Sequence, residues 1–218
     1  MMLVWERPTA RPRTVAIDRA TIVATAMAAG DADGLEAVTL RRVASDLGVL
    51  PMRLYGHLDT KDDLLDLMID EVYGMVRLPA PNVGWRAALA RIARELRSAA
   101  AKHPWAVTLL GARPPYGPNG LRLVERTWSA IDSQGADPAT SAGCAAAFIG
   151  YLTGALQQER GGPEPAEVER YLAEAVTTGP YPALAKAFAS LTPQDTFQRG
   201  LDITLDGIAS ALTSGPAR

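Results

Sequence analysis

The 218-residue chain has a single cysteine, Cys144, and only two histidines, His57 and His103. One cysteine excludes a disulfide framework within the chain and any multi-cysteine metal site. Two histidines are too few for a histidine-rich zinc centre. Charge of one sign is also lacking: the net charge is −2, so bulk charge does not announce nucleic acid. Over residues 1–61 eight basic side chains face seven acidic ones, and so small an excess leaves the argument to motif. No long apolar run is present. The most apolar stretch, 142–156, falls short of the about 20 residues of a membrane span. Arg7, Arg11 and Arg13 are not followed by an apolar stretch, which argues against a signal peptide. A soluble cytoplasmic protein is expected. Alternating Val/Ile/Thr runs are missing too, so no strand is expected.

What the chain does have is apolar residues at helical spacing, and the expected class is all-α. Ile17, Ala20, Ile22, Val23, Ala26 and Met27 make one helix face that ends near Gly30. Thr39 stands as an N-cap before Leu40, Val43, Ala44 and Leu47, and Gly48 stops that helix. A second short helix spans about 51–58. Thr60 caps the next one, with Asp62 and Asp63 in its first turn. Pro79, Pro81 and Gly84 then break the chain, and a boundary falls near Arg77. Longer helices follow. Asp137-Pro138 opens one rich in small residues (Ala142, Gly143, Ala146, Gly150, Gly154). Two shorter helices cover 167–177 and 182–189, and an amphipathic helix with Leu201, Leu205 and Ile208 closes the chain.

Residues 39–58 read as helix-turn-helix. Ala44 is small where two helices must cross, and Gly48 can take the positive φ of a tight turn. Taken alone, that pattern fits a plain αα-hairpin of a helical core as well. The residues after it are more specific. Met52-Arg53-Leu54-Tyr55-Gly56-His57-Leu58, followed by Lys61 and the pair Leu64-Leu65, resembles the signature of the tetracycline-repressor (TetR-type) family. Gly56 departs from it, standing where a bulky residue is usual. Gly111-Ala112-Arg113-Pro114, Pro182-Ala183-Leu184 and Gly200 to Gly207 resemble later parts of the same family, so the likeness covers most of the chain.

The resemblance implies a basic N-terminal arm (1–16), a helix-turn-helix DNA-binding domain (17–77) and a ligand-binding, dimerising domain (78–218). It implies a homodimeric repressor on an inverted-repeat operator, released by a small-molecule effector. Thr39 would cap its helix and touch a phosphate. Arg41 matches a base-reading position, as an Arg fork suits guanine. Pro51, Met52 and Arg53 would face the groove, with Arg53 on a base and Met52 on a thymine methyl. Tyr55, His57 and Lys61 match phosphate-contacting positions, although His57 also reads as a structural histidine. Arg42 reads as a solvated face. Arg7, Arg11 and Arg13 would form an arm for a neighbouring minor groove, or a solvated tail. The helices at 139–159 and 197–212 resemble the family's dimer-forming pair.

In tetracycline repressors a histidine beside the Gly-x-Arg-Pro turn helps hold a drug-bound magnesium. Here that position is Leu109. The asparagine and aromatic expected upstream fall on Ile92 and Leu96, and a glutamate falls near Gln157 or Gln158. No metal or other cofactor is therefore expected, and the effector should be mostly apolar. Its lining would be Ile92, Leu96, Trp105, Leu109, Val124, Trp128 and Phe148, with Arg113, Thr127 and Gln158 as polar anchors. Each aromatic reads equally as ordinary core. Two rival functions are a helical ligand-binding or interaction protein without operator binding, and an enzyme. Nucleophile-elbow, dinucleotide, P-loop and zinc-protease motifs are all absent, which leaves the enzyme the weaker rival.

Overall fold

Asp18 starts the first helix by accepting the Thr21 amide at 2.7 Å. The computed structural model describes residues 17–161, 165–190 and 196–214. The basic arm expected over 1–16 lies outside them. Helix α1 (Arg19–Asp33) runs past Gly30 and ends at Gly34, whose φ is +81°. Gly30 lies inside the helix with Trp105 packed against it: a Cβ there would sit 3.0 Å from the indole.

Helix α2 (Leu40–Asp46) begins at Thr39, whose Oγ1 accepts the Arg42 amide at 3.1 Å. Gly48 takes φ +67° and turns the chain. The next element is a 3-10 turn over Pro51–Gly56, shorter and tighter than the helix expected over 51–58. Its bonds run from the Arg53 amide to the Leu50 carbonyl and from the His57 amide to the Leu54 carbonyl, both 2.9 Å. Leu54 and Leu58 are fully buried and anchor it. Helix α3 (Lys61–Gly74) opens with a complete capping box: Thr60 Oγ1 accepts the Asp63 amide, and the Asp63 carboxylate accepts the Thr60 amide.

The remaining helices are α4 (Trp85–Lys102), α5 (Ala106–Leu109), α6 (Pro118–Asp132), α7 (Pro138–Arg160), α8 (Ala166–Thr178), α9 (Pro182–Ser190) and α10 (Thr196–Ser214). Among the described residues there is no strand. Helix α7 extends well beyond the apolar 142–156 stretch, and by length and composition alone it could cross a membrane. Cys144, Phe148, Leu152 and Leu156 on it are buried, and it packs on α4, α5, α6 and α10. A single apolar cluster runs from Ile17 to Ile208 and includes residues on both sides of Arg77.

Leu205, on the stripe of α10 that faces α7, is 1% exposed. Its replacement therefore tests the core of one protomer. Leu205→Glu places an unpaired carboxylate in the core and should cost about 3–5 kcal/mol. Loss of the cooperative thermal transition by circular dichroism is the expected result. A wild-type melting temperature would contradict this packing.

Candidate functional site

Thr39, Arg41, Met52, Arg53 and Tyr55 are exposed, while Pro51 and Lys61 are half-buried. They lie on or beside the α2 and 51–56 pair. Met52 is 76% exposed and its neighbour Leu50 74%. Large apolar side chains left in water on one short turn mark a contact surface. Leu50 escaped sequence reasoning, although a residue before proline is held extended and here has φ −73°, ψ 140°. Arg42 is taken up elsewhere. It pairs with Asp46 at 2.8 Å and Asp33 at 3.2 Å, tying α2 to α1, and these carboxylates raise its pKa.

His57 is buried, and its Nδ1 has no hydrogen-bond partner. Burial, with Arg19 and Arg53 nearby, lowers its pKa against the opposing pull of Asp18. The structural reading of His57 fits this burial, with the lowered pKa favouring a neutral ring beneath the 51–56 turn.

Three polar joints hold α1 and α3 to the segment between residues 103 and 120. Asp31 Oδ1 meets His103 Nδ1 at 2.8 Å and accepts the Trp105 indole N–H at 2.6 Å. Arg113 donates to Asp66 at 2.5 Å and also to Asp62. Asp70 accepts the Gly120 amide at 2.8 Å and the Asn119 amide and side chain at 3.0–3.3 Å.

Several residues of the expected effector lining serve these joints or the core. Trp105 and Arg113 are occupied in holding α1 and α3. Ile92, Leu96, Leu109 and Phe148 are closed core, Val124 is half-buried, and Trp128 is 39% exposed at the surface. Thr127 is buried with its hydroxyl on the Leu123 carbonyl. Of the expected set only Gln158 lines the large cleft of the body, about 950 Å³. That cleft lies where α4, the end of α7 and the start of α10 meet. Arg97 there grips Glu159 with two bonds, 2.6 and 2.8 Å. Its guanidinium lies 4.5 Å from the Phe197 ring centroid, and the Tyr151 hydroxyl donates to the Phe197 carbonyl. Burial, with Glu159 nearby, raises the Tyr151 pKa, so the hydroxyl keeps its proton. Sequence gave no sign of this group, whose members lie far apart in the chain.

Residues 78–212 match the family model described as "Tetracyclin repressor-like, C-terminal domain". An HTH-type transcriptional regulator of Saccharopolyspora erythraea is 34% identical over 95% of this chain and 91% of its own. The HTH-type transcriptional repressor DrrR1 of Streptomyces coeruleorubidus is 34% identical over 94% and 83%. The chain belongs to the tetracycline-repressor family. As a TetR-family protein it is a helix-turn-helix transcriptional regulator and not an enzyme. The TetR-family protein ActR of Streptomyces coelicolor, solved in complex with actinorhodin, superposes with a TM-score of 0.81. It is 29% identical over 90% of this chain and 97% of ActR.

Two outcomes test the TetR head and its attachment. In the folded state His57 titrates below the 6.5 of a free histidine. As pH falls below that value the unfolded chain takes up the proton first, so stability should drop with acidification. In His57→Leu this part of the pH slope should vanish, as read from urea midpoints at pH 7.5 and 5.5. An unchanged slope would assign it to other groups. Asp31→Ala leaves the buried Trp105 indole N–H without its acceptor and should cost about 1–3 kcal/mol. A wild-type urea midpoint would mean that this joint contributes nothing.

Proposed function

We propose that this protein is a homodimeric, cytoplasmic repressor whose residues 17–77 bind an inverted-repeat operator and whose residues 78–218 take a small organic effector that releases it. The exposed surface formed by Arg41, Leu50, Met52, Arg53 and Tyr55, on a turn fixed by Thr39 and Gly48, carries the DNA reading. It offers guanidinium forks for base edges and apolar groups for thymine methyls. Lys61, at the first turn of α3, supplies charge for the backbone.

Repression and release are supported by the relatives. DrrR1 is named a repressor, and ActR was solved with actinorhodin and with (S)-DNPA. Dimerisation through α7 and α10 is supported by their outward faces. Ile149 and Ile203 are 42% and 66% exposed, and the helical glycines Gly143, Gly150 and Gly207 have open space where a Cβ would be. Small residues of that kind let helices of two copies approach closely. A dimer presents two heads, which matches a palindrome.

The reading is tested by gel shift with DNA from the protein's own promoter region. Arg53→Ala should cost about 1–3 kcal/mol and relax preference at one base pair per half-site. Lys61→Ala should weaken all sequences alike and reduce the salt slope by about 1. Equal loss on cognate and scrambled duplexes with Arg53→Ala would remove it from base reading, and no shift at all would remove the operator.

A further inference from the structure

A rigid body is fixed by three points that do not lie on one line. Two of the polar joints between head and body lie along a single helix. Arg113 holds Asp62 and Asp66, and the first turn of α6 holds Asp70. All three carboxylates belong to α3. These bonds alone would let the head turn about the α3 axis. Apolar contact adds adhesion there, but the hydrophobic effect has no direction and sets no angle.

The third joint stands off that axis. Gly30 and Asp31 lie in the last turn of α1, which packs on α3. Trp105 is 3% exposed, and a Cβ on Gly30 would sit 3.0 Å from its Cδ1 and Nε1. The indole N–H donates to Asp31 Oδ1 at 2.6 Å, and His103 Nδ1 meets the same oxygen at 2.8 Å. Both donors come from the corner between α4 and α5. One oxygen of the head is thus held by two groups of the body. Hydrogen bonds weaken steeply as they bend, so two that converge on one atom resist rotation.

Rotation of the head matters for DNA. The 51–56 turn packs on α2, and α2 on α1. Its distance from the α3 axis is on the order of one helix-to-helix spacing, about 10 Å. At that radius a rotation of roughly 20° moves the turn about 3.5 Å, one base-pair step of a strand. In a dimer, about 10° in each head does the same. A joint that holds the head more tightly than this makes the dimer selective for the distance between half-sites.

We propose that the bond between Trp105 and Asp31 sets the half-site spacing that the dimer accepts, with both as positioning residues that touch no DNA. The assignment rests on the operator reading above and adds the residues that fix the operator's geometry.

The test uses the full-length dimer and an inverted repeat that the wild type selects from random duplexes. Gel shifts compare it with the same repeat lengthened or shortened by one base pair at its centre, and with a single half-site. Wild type should bind the altered spacings about tenfold or more weakly. Asp31→Ala should shrink that penalty below about threefold and leave the single half-site affinity unchanged. Trp105→Phe, which loses the N–H, should follow Asp31→Ala. Asp31→Asn, whose Oδ1 still accepts both donors, should keep the wild-type penalty. A wild-type penalty in Asp31→Ala or Trp105→Phe would overturn the assignment, and so would a relaxed one in Asp31→Asn. Loss of single half-site binding in both relaxed variants would mean a damaged head and overturn it too. If wild type selects no repeat, the operator reading falls and the assignment with it. If wild type and Asp31→Ala discriminate equally, the operator reading stands and only the assignment falls.

Discussion

Asp70 is a carboxylate inside the protein, 5% exposed, and a buried carboxylate persists only where donors surround it. Its donors are the amides of Asn119 and Gly120 and the Asn119 side chain, all at the first turn of α6. Unpaired amides and the helix dipole make that turn a natural place for a negative charge. The arrangement leaves little freedom. Gly120 must be glycine, because a Cβ would meet the Pro115 carbonyl at 2.8 Å. Pro115 is in turn fixed in the 114–118 loop. The end of α3 and the start of α6 are thus held in one register, and the 51–56 turn precedes the other end of α3.

The other two joints follow the same chemistry. Carboxylates of α1 and α3 meet donors from one stretch of the body. Since α5 is a single turn in that stretch, a small shift there acts on Asp31 through Trp105 and on Asp62 and Asp66 through Arg113. Packed contacts of this kind move between discrete arrangements more readily than they deform. Differential affinity of a ligand for two such arrangements is all that a switch requires.

Local chemistry was legible in the sequence because it is written within a few residues. The caps at Thr39, Thr60 and Asp137, the turn at Gly48 and the helical stripes all depend on neighbours three or four positions away. The helical class followed from them. What was not legible depends on distance along the chain. Trp105 and Arg113 look like pocket residues until their partners, Asp31 and Asp62 with Asp66, are brought beside them. Ile92 and Phe148 read identically as lining or as core, and packing alone decides. His57 read both as a phosphate contact and as a structural histidine, and its 7% exposure could not be read from its neighbours in the chain.

Arg126 draws out a last property of the fold. Its guanidinium donates to the carbonyls of Pro79 and Ala80, at 3.0 and 2.9 Å, and reaches that of Val83. The stretch joining α3 to α4 is thereby pinned along its length to α6. A connection rich in proline and glycine would ordinarily serve as a flexible joint, but here it behaves as a bracket. Any swing of the reading heads must then pivot where α3 leans on the body, and the lever arm runs the length of α3, from Gly74 back to Thr60. A displacement too small to disturb the core would be magnified along that arm into a change of spacing between two recognition turns on the double helix.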